Sequence, residues 1–286
     1  MFFLGFLKAL VLGIVEGITE WLPVSSTGHL ILVDEFLQLK NTPGVSDGFG
    51  SMFDVVIQLG AILSVVVLYF KRLVPLKTGE GGALQMRLDN KKLSMWVKII
   101  VACLPAAIVG LLFDDFFTEH FYNLPCVAAM LIIFGILFII VENYQKGKKP
   151  KINSIAAIDY KTAAIIGAFQ LIAAIFPGTS RSGATIVGAL LISVSRTAAA
   201  EFTFFLAVPV MFGASALKLA KFFAEGNGIT GTEIGLLITG MLVAFIVSVF
   251  AIKFLMGYIK KHDFKVFGWY RIVLGIIALL VFFIAK

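Results

Sequence analysis

Six stretches of this chain, residues 53–70, 97–113, 125–141, 202–217, 234–252 and 266–285, are apolar over about the 20 residues a helix needs to cross a bilayer. In hydrocarbon the backbone has no water to bond with, so each stretch must be a helix that satisfies its own N–H and C=O groups. Composition agrees, because 59% of the 286 residues are hydrophobic and 14% are charged, too few to coat a soluble globule. A water-soluble enzyme is excluded, and so are a disordered chain and a coiled coil. The chain reads as an all-α polytopic membrane protein, a single integral membrane domain over residues 1–286. Cys103 and Cys126 fall in apolar segments and read as membrane-core residues, not as a disulfide or a metal site.

The net charge of +7 would suit nucleic acid if it formed a surface patch, but the basic residues collect in loops. Residues 71–98 hold seven Lys or Arg, residues 142–161 hold five and residues 253–271 hold five. Such loops stay in the cytoplasm, so nucleic acid is not an expected partner and membrane lipids are. The opposite segments carry Asp34, Glu35, Asp47 and Asp54, then Asp114, Asp115 and Glu119, then Glu225 and Glu233, and are expected to face outward. The three spans of the first half then run inward, outward, inward, and those of the second half run in the opposite sense.

Three shorter apolar stretches, residues 2–15, 162–176 and 184–194, are interrupted by Pro, Gly, Ser or charge, as half-helices in membranes are. The first is not expected to be a cleaved signal, since it leads into Glu16 and Glu20 without a basic start or a small-residue cleavage site. Counting crossings makes the first 40 residues a re-entrant helical hairpin from the outer side and residues 162–194 a second from the cytoplasm. A shift of 154 residues lays Gly13 on Gly167, Glu16 on Gln170, Pro23 on Pro177, Ser25 on Thr179 and Ser26 on Ser180. Six transmembrane helices plus two re-entrant hairpins thus form an inverted-topology repeat, residues 1–145 and 155–286 approximately. The broken elements of such repeats meet near the midplane and build the site there.

The first turn places Glu16 and Glu20 one helical turn apart. A carboxylate at mid-membrane costs about 2.5–3.5 kcal/mol, so the pair either snorkels to the interface or needs a wet cavity, a cation or a proton. Glu16 and Glu20 suit Mg²⁺ or Ca²⁺, which prefer carboxylate oxygen; no organic cofactor is implied. Ser25, Ser26 and Thr27 follow Pro23 at the start of a new apolar run, where hydroxyls cap a helix and its N–H groups bind anions. The second turn runs from Pro177 through Gly178, Thr179, Ser180, Arg181, Ser182 and Gly183 to Thr185, with Arg181 its sole charge. Arg181 either pairs with Glu16 or Glu20 or forks onto phosphate oxygens, and both can hold at once. His29 offers a base, an acid or a nucleophile; His120 and His262 read as solvated. The assembly suits a diphosphate. Gly13 with Gly17, and Gly231 with Gly235, offer close-packing faces for a homodimer or for packing within one chain.

These turns resemble the signatures of the undecaprenyl-diphosphate phosphatase family, the bacitracin-resistance proteins also called BacA. The likeness runs through Glu16 to Glu20, Leu22 to His29 and Pro177 to Thr185, and on through Asp54 to Gly60, Ser195, Arg196 and Ala207 to Pro209. Thr179 departs from the aromatic of some relatives, and residues 76–92 are free to vary. The resemblance implies hydrolysis of undecaprenyl diphosphate to the monophosphate at the outer face of the bacterial cytoplasmic membrane, which recycles the cell-wall lipid carrier and confers bacitracin resistance. It implies catalytic roles for Glu16, Glu20, Ser26, His29 and Arg181, and substrate binding by Ser25, Thr27, Ser180, Ser182 and Thr185. The attacking group is left open among Ser26, His29 and water. A secondary transporter or flippase of a phosphorylated polyprenyl lipid is the competing class, since inverted repeats with broken helices serve transport too.

Overall fold

The computed structural model describes residues 2–46, 48–79 and 84–284. Asp47, counted above among the outer acids, and residues 80–83 of the variable loop lie outside the described residues. The chain runs α1 (Phe2–Thr19), α2 (Ser26–Leu37), α3 (Phe49–Leu68), α4 (Phe70–Leu73), β1 (Leu76–Thr78), β2 (Leu84–Leu88), α5 (Asn90–Phe121), α6 (Leu124–Gln145), α7 (Tyr160–Ile175), α8 (Arg181–Leu191), α9 (Arg196–Ala224), α10 (Gly231–Tyr258) and α11 (Lys265–Ile284). Among the described residues six helices, α3, α5, α6, α9, α10 and α11, are long and apolar enough to cross a membrane. They match the six stretches read from the sequence, except that α3 ends at Leu68, short of residue 70, and residue 285 lies outside the described residues. Several extend past them, because Asp89, Asn123, Ser195 and Thr230 cap the backbone N–H groups of the first turns of α5, α6, α9 and α10.

Three expectations need correction. The chain is not all-α: β1 and β2 form a small antiparallel hairpin, and Leu84 to Leu88 alternates apolar and polar side chains as a strand does. The half-helix read at residues 2–15 runs further than its apolar stretch, because neither Glu16 nor Gly17 breaks a helix; α1 continues to Thr19 and the break comes just before Pro23. Arg271, counted with the cytoplasmic loop, lies inside α11 with no solvent exposure.

Helix packing follows the small residues. α1 lies along α10, α7 along α5, α3 between α9 and α10, and α6 along α11. A Cβ on Gly13 would sit 2.7 Å from the Gly240 carbonyl oxygen, and one on Gly17 would sit 2.8 Å from that of Ala244. The Gly13 and Gly17 face is therefore used within the chain. Gly135 and Gly268 make the matching approach between α6 and α11, each 2.7 Å from the other's carbonyl oxygen by the same measure. Leu112, Phe250 and Leu280 remain more than half exposed on the outside of the bundle. Such a surface belongs in lipid, and the protein is a multi-pass membrane protein.

The interior of α9 holds the first break in place: Trp21 is fully buried and meets Phe204 edge-on at 5.2 Å. Towards the basic loops two ion pairs tie α9 to its neighbours. Arg72 forks onto Glu201 at 2.6 and 3.0 Å. Arg196 grips Glu142 at 2.5 and 2.9 Å, and Glu142 also accepts the Phe264 N–H at 2.9 Å.

Candidate active site

Both breaks are built alike. Ser25 and Ser180 sit at φ 76° and 67°, in the left-handed region that residues other than glycine seldom occupy. Each is the N-cap of the helix that follows: Ser25 Oγ accepts the Gly28 N–H at 3.2 Å, and Ser180 Oγ accepts that of Gly183 at 3.1 Å. The matching caps are thus one residue further apart than the 154-residue shift makes them. Pro177 is separated from its cap by two residues and Pro23 by one, so Ser25 corresponds to Ser180 and Ser26 to Arg181. Strain of this kind costs on the order of 1–3 kcal/mol and persists where the surroundings impose it.

Ser26 and Arg181, the first residues of α2 and α8, converge on Glu20. Ser26 Oγ donates to Glu20 Oε2 at 2.5 Å, and Arg181 Nη2 donates to Glu20 Oε1. Of the two carboxylates offered to Arg181 it takes Glu20. Ser182 Oγ donates to the Glu20 carbonyl at 3.2 Å and lies 3.1 Å from Ser180 Oγ. Thr185 is turned away, its hydroxyl bonded to the Arg181 carbonyl at 2.9 Å and to Thr203 at 2.8 Å. Arg181 Nη1 has no partner. Glu16 is fully buried, and neither of its carboxyl oxygens has one.

His29 is held apart from Ser26. Its Nδ1 lies 2.7 Å from the Ser25 carbonyl and its Nε2 lies 2.7 Å from the Tyr270 hydroxyl. A carbonyl only accepts, so Nδ1 carries a proton, and in the neutral ring Nε2 accepts from Tyr270. The two rings are parallel to within 1°. Next to Tyr270, the buried Arg271 reaches both breaks at once. Its guanidinium donates to the Pro23 carbonyl at 3.2 Å, to Gly178 at 2.9 Å and to Thr179 at 2.8 Å. Sequence reasoning missed both α11 residues. The available signal was a lone arginine beside an apolar run, which in a membrane marks a working residue.

Two cavities flank the junction, each of about 440 Å³. One is apolar, lies among α5, α7 and α9, and has Arg181 and Gln170 on its wall. The other is lined by Thr27 of α2, Asp54 and Gln58 of α3 and Lys218 and Lys221 of α9. Ala214 and Leu217 line both. Of the residues singled out from the sequence, Glu20, Ser26, Ser180, Arg181 and Ser182 are brought together. Ser25 serves as a cap, Thr27 faces the polar cavity, and His29 is bonded to Tyr270. His120 and His262 are exposed and stack on Phe116 and Tyr258. Cys103 and Cys126 are free thiols. Among the described residues no three His, Cys, Asp or Glu side chains cluster as a metal site.

Six apolar spans around two strained helix breaks, which share a carboxylate, a hydroxyl and a guanidinium inside the bundle, define a polytopic membrane protein with an enclosed polar centre. The model of the bacitracin resistance protein BacA family matches residues 9–277, and the chain belongs to that family. It is 65% identical over 275 residues to the undecaprenyl-diphosphatase of Desulfitobacterium hafniense, covering 96% of this chain and 95% of that one. It is 63% identical to undecaprenyl-diphosphatase 1 of Clostridium acetobutylicum over 97% of each chain. To the undecaprenyl-diphosphatase of Enterococcus faecalis it is 56% identical, again over 97% of each.

Proposed function

We propose that this chain is a membrane phosphatase that hydrolyses undecaprenyl diphosphate to undecaprenyl phosphate and phosphate. The relatives' shared name supports the substrate. The single observation that carries the chemistry is the junction on Glu20, which orients the Ser26 hydroxyl at 2.5 Å and holds Arg181 beside it. In this reading the isoprene units next to the diphosphate lie in the apolar cavity, with the diphosphate at Arg181. Ser26 Oγ attacks the terminal phosphorus and passes its proton to Glu20; the new O–P bond forms as the anhydride bond breaks, releasing undecaprenyl phosphate. Water then cleaves the phosphoserine, and Glu20 takes up and returns protons. Arg181 and the first-turn N–H groups of α2 and α8 offset the charge on the phosphoryl oxygens, the main task in phosphoryl transfer. Ser180 and Ser182 border that position.

The bonds at both ring nitrogens of His29 favour Ser26 over His29 as the attacking group, because His29 would first have to leave Tyr270. Glu16 and Glu20 would hold Mg²⁺ or Ca²⁺. The unpartnered oxygens of Glu16 fit a hard cation, which would supply further positive charge to the diphosphate.

We read the two halves, residues 1–145 and 155–286, as inverted repeats with re-entrant breaks. Support comes from the like caps at Ser25 and Ser180 and from the reciprocal packing of α1 on α10 and α7 on α5. The first break then opens to the outer face of the cytoplasmic membrane, where hydrolysis recycles the carrier and confers bacitracin resistance. The same reciprocity favours transport as a second reading. Transfer of the lipid across vesicles by Ser26→Ala would support it. The phosphatase reading is tested by phosphate release from undecaprenyl diphosphate by the purified chain in detergent, and its absence would refute it.

A further inference from the structure

Buried polar groups in native proteins nearly always have partners, so each exception needs a reason. Gln170 on α7 is such an exception: it is 2% exposed, and neither its Nε2 nor its Oε1 has a hydrogen-bond partner. It lies on the wall of the apolar cavity, among Cys103, Ala106, Ala173 and Val210. A leucine or methionine would fill that wall without orphaning an amide. The other strongly polar side chain on the same wall is Arg181, which contributes a second unpartnered donor, Nη1. Two orphaned donors at the edge of an apolar cavity match an amphiphile whose hydrocarbon fills the cavity and whose anionic head meets both.

We propose that Gln170 is a substrate-binding residue whose Nε2 donates to the phosphoryl group nearest the prenyl chain. The inference rests on the reading that Arg181 holds the lipid diphosphate. The phosphate nearest the chain must lie at the mouth of the apolar cavity, and the terminal one must extend towards Ser26. Gln170 and Arg181 thereby select which phosphorus faces the hydroxyl. The contact has a consequence that a packing role lacks. The proximal phosphate is common to the diphosphate substrate and the monophosphate product, so Gln170 grips both, whereas inorganic phosphate, cut from the far end, never meets it.

The test uses the full chain in detergent, with Gln170→Leu, Gln170→Glu and Arg181→Ala beside the wild type. Phosphate release is followed against undecaprenyl diphosphate, and inhibition against undecaprenyl phosphate and inorganic phosphate. Gln170→Leu should raise KM and the inhibition constant for undecaprenyl phosphate together, about ten- to hundredfold for a lost bond to a charged group. It should leave inhibition by inorganic phosphate unchanged and the melting temperature unchanged or higher, because it removes a buried orphan. Gln170→Glu keeps the shape, so it decides the matter if the leucine variant fails to fold; its like charge should raise both constants further. Wild-type constants in either folded variant, with Arg181→Ala impaired, would overturn the role of Gln170 alone. Wild-type behaviour in Arg181→Ala as well would remove the site assignment and Gln170 with it.

Discussion

Arg271 ties the two breaks together, and replacing it by methionine should separate them. Methionine keeps most of the volume but has no donor, so the carbonyls of Pro23, Gly178 and Thr179, bonded at 3.2, 2.9 and 2.8 Å, lose their partner. An orphaned buried acceptor costs about 1–3 kcal/mol, which sums to about 3–9 kcal/mol for three if nothing relaxes. Removing a buried cation returns several kcal/mol of desolvation and offsets much of this, so the melting temperature should fall only modestly. The larger effect is local. Pro23 precedes the turn that carries Ser26, and Thr179 precedes the one that carries Arg181, and a shift of about 1 Å between reacting groups costs about a hundredfold in rate. Arg271→Met should therefore lose about two orders of magnitude in turnover while folding cooperatively. Arg271→Lys, with three donors but no planar fork, should fall between. Phosphate release and thermal unfolding of the same preparations provide the assay. Turnover near wild type in a folded Arg271→Met protein would refute the clamp.

Arg181→Ala should reduce turnover by orders of magnitude, because the proposed mechanism sets its guanidinium against the charge that develops on phosphorus; near-normal turnover would remove that role. Gly13→Leu should force α1 off α10, since a Cβ there already meets the Gly240 carbonyl at 2.7 Å, and should cost about 1–3 kcal/mol or more. Gly110→Leu, where nothing lies within 4 Å, should leave the melting temperature unchanged or higher, since leucine is the better helix former. Asp159, the N-cap of α7, is held below the usual carboxylate range by hydrogen bonds from the side chain and backbone N–H of Thr162. Its support of α7 is full above the ordinary aspartate pKa of about 3.9 and fades as pH falls through its lowered value. Asp159→Asn, which cannot titrate, should flatten that part of the acid unfolding profile, and an unchanged profile would show that the cap does not contribute. If Glu16 and Glu20 hold a divalent cation, thorough chelation should abolish phosphate release and Mg²⁺ or Ca²⁺ should restore it; full activity after chelation would exclude the cation.

What the sequence made legible follows from what a membrane forbids. Backbone groups in hydrocarbon must bond within their own helix, so the six spans and both breaks stand out as hydropathy and proline. The breaks also carried the hydroxyls, Glu20 and Arg181, so the junction residues were visible before their geometry was. Partner choice was not: nothing in the spacing says that Arg181 takes Glu20 and leaves Glu16 bare, because that depends on how the two breaks meet inside the bundle. Arg271 was hidden by its place at a loop boundary, where counting charges for topology assigns an arginine to water. Gln170 was matched to Glu16 by the internal shift, but only burial and an absent partner distinguish it from any other helix glutamine. The caps show the limit of alignment by shift, since one extra residue after Pro177 moves the equivalence from Thr179 to Ser180.

The central claim is that the Ser26 hydroxyl, oriented by Glu20 beside Arg181, attacks the terminal phosphorus. Capping does not confuse the test, because Ser25, not Ser26, caps α2. Phosphate release from undecaprenyl diphosphate by Ser26→Ala, run beside the wild type at equal folded concentration, should fall by orders of magnitude while the lost bond to Glu20 lowers the melting temperature only modestly. Undiminished release by Ser26→Ala would contradict the account and move the attack to His29 or to water.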